Sequence, residues 1–151
     1  MPSSVALNRR KKKLLFFVSQ DIDGNMRSNI RDFVLRLAGK RRWLLGPPQF
    51  VNSHQEPADT SKGDLPVETL GGYLELYSAL PPSQLPREID LQHFNEVTEL
   101  INAIQEFSRE QHLEFEFELG GTFVGAMTDG NMDRSLAQGL LGEWKRQLGL
   151  P

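Results

Sequence analysis

The sequence contains no cysteine. That excludes disulfides, thiolate metal centres and a cysteine nucleophile. Histidine is scarce: His54, His93 and His112 stand far apart and show no metal-ligand spacing. No apolar run approaches the ~18 residues of a membrane span. Leu14 to Val18 follows a basic run, as in a signal peptide, but it is shorter than the roughly 7–15 residues of a signal core, and no small-residue cleavage site follows. The expectation is a cytoplasmic chain without membrane contact. G-x-S-x-G, P-loop and G-x-G-x-x-G patterns are all missing. Gly120-Gly121-Thr122-Phe123-Val124-Gly125 lacks the lysine and the following helix of a phosphate loop. No catalytic residue, cofactor or metal is assigned on these grounds.

What is present suits a globular chain. The 151 residues fit one domain, and 38% hydrophobic with 25% charged residues is an ordinary balance. The net charge of -3 hides a split: residues 1–42 hold 11 Lys/Arg and 3 Asp/Glu, whereas residues 43–151 hold 6 and 17. Either part could meet a partner of opposite sign, or the two could attract each other within one fold or across a dimer.

Residues 1–13 read as a flexible basic arm and 14–151 as a single α+β domain. Leu14–Val18 is apolar and rich in strand formers, so a buried strand is expected. Asp23-Gly24 marks a turn, and Ile30, Phe33, Val34 and Leu37 then fall at helical spacing, with Ser28 a candidate N-cap and Gly39 a stop. Trp43 to Leu45 fits helix or strand. Residues 49–54 read as a strand, 55–66 as an exposed loop and 69–78 as a strand. Residues 79–87, with three prolines, form a connector. Asp90 is the expected cap of the longest helix, running to about His112, with Phe94, Val97, Ile101, Ile104 and Phe107 as its stripe.

Leu113 to Leu119 alternates strictly, so Leu113, Phe115, Phe117 and Leu119 face the core and Glu114, Glu116 and Glu118 face away. Gly120-Gly121 is a two-residue hairpin signal. A partner strand over 122–128 would place Ala126, Val124 and Thr122 on the core face, leaving Phe123 and Met127 outside with the glutamates. Asp133 can cap a last helix with Leu136, Leu140, Leu141, Trp144 and Leu148 on one stripe. Gly139 and Gly142 cost that helix about 1 kcal/mol each relative to alanine, which suggests close packing there. The expected architecture is a mostly antiparallel sheet of four to five strands with three helices, in the order β-α-β-β-α-β-β-α. Its first six elements resemble a ferredoxin-like unit, a superfold that implies no function by itself.

Four features could carry function. The row Glu114, Glu116, Glu118 with Phe123 suits a basic protein partner; its ~7 Å spacing is too wide to chelate one ion. Arg9, Arg10, Lys11, Lys12 and Lys13, with Lys40, Arg41 and Arg42 a helix away, could neutralise phosphates of nucleic acid. The segment Asp23-Gly24-Asn25-Met26 recurs as Asp129-Gly130-Asn131-Met132, each copy between a strand and a helix. Turn and cap chemistry explains both copies, and Asp23, Asn25, Asp129 and Asn131 could alternatively line one ligand cleft. Asp21, Asp23 and Asn25 resemble the opening of a calcium loop, but Met26 stands where that loop needs glycine and no bidentate glutamate closes it. The readings therefore rank as follows: a non-catalytic protein-binding or regulatory domain, adaptor or immunity-like; then a nucleic-acid binder; then an enzyme or small-ligand binder. A homodimer is expected from the opposed charges and the glycine notch.

Overall fold

The computed structural model describes residues 10–55, 67–78 and 85–150. The elements are β1 (Arg10–Val18), α1 (Gly24–Ala38), β2 (Gln49–Gln55), β3 (Val67–Ser78), α2 (Arg87–Gln111), β4 (Glu114–Leu119), β5 (Thr122–Thr128) and β6 (Asn131–Met132). A last helix, α3, begins as a π-helical run over Ser135–Gly142 and continues as α-helix over Glu143–Gln147. The class is α+β with three helices, as expected. The sheet has six strands rather than four to five, in the order β2-β3-β1-β4-β5-β6, with every neighbouring pair antiparallel. The extra strand, β6, is two residues long.

One face of the sheet makes the core. Leu14, Phe16 and Val18 of β1, Leu70, Leu74 and Leu76 of β3, and Phe115 and Phe117 of β4 are buried against the helices. From α1 come Ile30, Phe33, Val34 and Leu37. From α2 come Val97, Leu100, Ile101, Ile104 and Phe107. Phe33 stacks on Phe107 with ring centroids 4.3 Å apart, fastening the two helices to each other. Trp43, undecided between helix and strand, lies in a loop; it is buried, and its indole N–H donates to the Ala38 carbonyl.

Several expectations need correction. The basic run is no arm from residue 10 onward: β1 starts at Arg10, and Lys11, Lys12 and Lys13 pair with Tyr77, Leu76 and Glu75 of β3. Residues 1–9, most of the proline connector and all of the expected 55–66 loop but Gln55, which ends β2, lie outside the described residues. The cap of α1 is Asp23 rather than Ser28, its Oδ1 accepting from the Met26 N–H at 2.8 Å. Asp90 is not the cap of α2, which starts after Pro86; its carboxylate accepts from the Trp144 indole N–H instead. Asp133 does cap α3, accepting from Leu136 N–H at 2.9 Å.

The β4–β5 hairpin closes at Gly120-Gly121, with Leu119 opposite Thr122. A bulge then changes the register: Glu118 pairs with Phe123 but Phe117 pairs with Gly125, so Val124 is the extra residue. Beyond it every side chain of β5 changes face. Met127 therefore lies in the core at 1% exposure, opposite Phe115, and not on the outer face. A close approach between elements occurs at Gly125; of the two expected positions only Gly142 is tight, a Cβ there standing 3.2 Å from the Ala137 carbonyl oxygen of its own helix. A Cβ at Gly125 would stand 2.5 Å from the Leu136 side chain, whereas one at Gly139 would meet nothing within 4 Å.

Candidate functional site

The other face of the sheet carries no helix among the described residues. Alternation along β1 turns Lys11, Lys13, Leu15 and Phe17 away from the core. The register places the neighbours in rows. Leu15 lies between Tyr73 of β3 and Glu118 of β4, with Gln49 and Phe123 beyond. Phe17 lies between Gly71 and Glu116, with Val51 and Ala126 beyond. Leu15, Phe17, Val51 and Tyr73 are half-buried, and Phe123 is 51% exposed. An open groove of about 770 Å³ runs over part of this face, lined by Lys11, Leu15, Val51, Tyr73 and Glu118 and floored only by strand and turn residues. The Lys13 ammonium lies 4.5 Å from the centre of the Tyr73 ring, a cation–π contact.

Glu114, Glu116, Glu118 and Phe123 share this face. Glu114 is exposed, and Glu116 and Glu118 are half-buried among apolar neighbours. What sequence reasoning missed is the apolar part. An unbroken run such as Leu14–Val18 does not say which of its two faces the helices cover; Leu15 and Phe17 lie half-buried on the face that no described helix covers.

The two basic clusters do not converge. Lys11 and Lys13 project from the bare sheet face. Lys40 lines a recess of about 150 Å³ between α1 and α2, on the opposite layer, beside Arg36, Glu106 and Glu110. Arg41 is engaged: its guanidinium reaches Glu99 at 3.4 Å and Glu96 at 4.0 Å, and it lies over Trp43. Arg42 is exposed. Arg10 stands in β1, and Arg9 falls outside the described residues.

The two Asp-Gly-Asn-Met copies have different structures. The first caps α1, and Asp23 and Asn25 line a recess of about 170 Å³ with Met26, Asn29, Gln111 and Leu113. The second is a two-residue hairpin turn between β5 and β6, with Asp129 and Gly130 both in left-handed geometry. Gly130 donates to Ser108 Oγ and accepts from Gln105 Nε2, so α2 holds the turn. A Cβ at Gly130 would stand 2.8 Å from that of Arg109, which is why glycine sits there. Asp129 and Asn131 do not line the recess at Asp23. The copies flank Leu113 without sharing a cleft.

Two further features had little sequence signal. A recess of about 310 Å³ lies between α2, α3 and the sheet, with His93, Trp144 and Gly139 in its wall. His93 is buried, and its Nε2 accepts from the Tyr77 N–H at 3.1 Å; burial pushes its pKa down to about 4. Glu96 is also buried. Its Oε2 accepts from the Leu44 N–H at 2.8 Å, and burial raises its pKa. Helical spacing was the available signal: His93 lies four residues before Val97, and Glu96 four before Leu100.

Among the described residues, no group of three or more His, Asp and Glu could hold a metal ion. No described helix is long and apolar enough to cross a membrane. Compared with protein-family models, curated proteins and solved structures, the chain matches none.

Proposed function

We propose that this chain is a non-catalytic protein-binding domain, an adaptor or regulatory subunit, that uses the bare face of its sheet. A single observation carries the reading: Leu15, Phe17, Val51, Tyr73 and Phe123 gather on a face with no described helix over it. Contiguous apolar surface rimmed by charge is the mark of an interaction site. Lys11 and Lys13 on one side and Glu114, Glu116 and Glu118 on the other supply that rim, which favours specificity and association rate. The order β2-β3-β1-β4 supports reading the core as a ferredoxin-like unit extended at one edge by β5 and β6.

Nucleic acid is the weaker reading. Glu75 opposite Lys13 and the glutamates of β4 on the same face repel phosphates, and Arg41 is paired with carboxylates of its own chain. Capture from native lysate by the chain and by its Glu114→Gln, Glu116→Gln, Glu118→Gln triple variant tests the proposal. The variant should fold as the parent does and hold its partner more weakly, with the difference shrinking at high salt. Capture that is unchanged at every salt concentration would remove the acidic row from the site.

A further inference from the structure

We propose that the partner seated on this face is a second copy of the chain, docked face to face about a two-fold axis running across the strands. The inference rests on the protein-binding reading above and adds the occupant. Its basis is the position of the charges along the strands. Leu15 is opposite Glu118, and Phe17 is opposite Glu116. Lys13 and Lys11 lie two and four residues before Leu15 on the same face. Lys11 and Lys13 therefore occupy one end of the face, with Glu75 of β3 opposite Lys13, and the glutamates of β4 occupy the other, with Leu15 and Tyr73 at the boundary.

A two-fold axis in the plane of the face and perpendicular to the strands reverses strand direction and keeps strand order. Placed between the Lys13 and Leu15 rows, it sets Lys13 beside the partner's Glu118 and Lys11 beside the partner's Glu116. The sideways offset is one strand spacing, ~4.8 Å, which a lysine side chain spans. Each contact occurs twice by symmetry. The aliphatic stems of the lysines then cover the partner's Leu15 and the partner's Phe17, as Lys13 already covers Tyr73 in its own chain. A foreign basic or acidic partner would be met best by a face of one sign. Both signs on one face, cations toward one end on β1 and glutamates toward the other on the neighbouring β4, fit a copy turned end for end. The five strands from β2 to β5 span about four spacings and roughly eight residues of length. That gives roughly 500 Å² per copy and roughly 1,000 Å² in all, at the lower bound for a specific interface.

Sedimentation and light scattering of the full chain at tens of micromolar test the inference by charge exchange. The Lys11→Glu/Lys13→Glu and Glu116→Lys/Glu118→Lys variants should each lose roughly 100-fold in self-association, since each sets like charges together. Their equimolar mixture should dimerise again, because both pairs of contacts regain opposite signs. A monomeric parent chain, or a dimer indifferent to charge reversal, overturns the inference. Ser53→Cys gives the chain its only cysteine, at the rim of the groove, for a photo-crosslinking label, so the result stands even if a reversal variant fails to fold. Crosslinks between copies support the dimer. Crosslinks to a different protein overturn the dimer and leave the protein-binding face standing; crosslinks to nothing sink both.

Discussion

His93 shows what one buried residue costs and what it reports. Its Nε2 is an acceptor for β3, so the neutral ring carries its proton on Nδ1, which has no partner among the described residues. Protonating Nε2 would break the bond from Tyr77 and charge a group that is 1% exposed. Burial holds its pKa at about 4, below the ordinary 6.5. Between those values the unfolded chain binds the extra proton, so stability is intact above pH 6.5 and falls as pH drops toward 4. The slope should approach about 1.4 kcal/mol per pH unit. Glu96 works oppositely: its pKa is raised, so its contribution is present in acid and lost as pH rises. Comparing the parent with His93→Gln by denaturant unfolding cancels Glu96, and the glutamine can still accept from Tyr77. The parent should lose stability faster than the variant between pH 6.5 and 5. Parallel curves would mean that His93 takes up its proton as readily in the fold as in the unfolded chain.

At the scale of elements, β1 is longer than its apolar part. Lys11 to Lys13 look like an arm because five cations adjoin, yet each has a cross-strand neighbour on β3. Deleting residues 1–12 removes three strand positions that deleting residues 1–9 leaves in place. The larger deletion should therefore melt lower by about 1–2 kcal/mol, counting several tenths for each cross-strand pair, which is roughly 2–8 °C for a domain of this size. Equal melting points would show that the strand ends at Lys13 in solution. Strand β4 was legible because strict alternation leaves one answer for its faces. Its partner was half legible: the turn was right, but one extra residue at Val124 inverts every later position, and alternation carries no mark for it. The π-helical run was read as ordinary helix because the spacing of Leu136, Leu140 and Leu141 suits either winding. In the candidate site, the glutamates and Phe123 were visible as outward residues. Leu15, Phe17, Val51 and Tyr73 were not, since their exposure depends on which face the helices choose.

The whole molecule answers the split of charge along the chain. The basic first part and the acidic remainder are partly joined inside the fold. Arg41 reaches Glu96 and Glu99, and Arg27 of α1 grips Glu68 of β3 through two bonds of 2.7 Å. Asn52 of the edge strand donates to the same carboxylate at 2.7 Å, so Glu68 ties α1, β2 and β3 together. These bonds to Arg27 and Asn52 lower the pKa of Glu68 to about 2 from an ordinary 4.5. The sign follows from linkage: the contribution is complete above pH 4.5 and disappears as pH falls toward 2, where the folded state must take up the proton. Glu68→Gln keeps the shape and removes the charge. Its melting temperature should lie below that of the parent near neutral pH, and the gap should close between pH 4.5 and about 2. Salt should narrow the gap as well, because the Arg27 side chain is 42% exposed. A gap that persists unchanged to pH 2 would mean that Glu68 holds the edge strand by packing and neutral hydrogen bonds, and that the charge of the first part is balanced elsewhere.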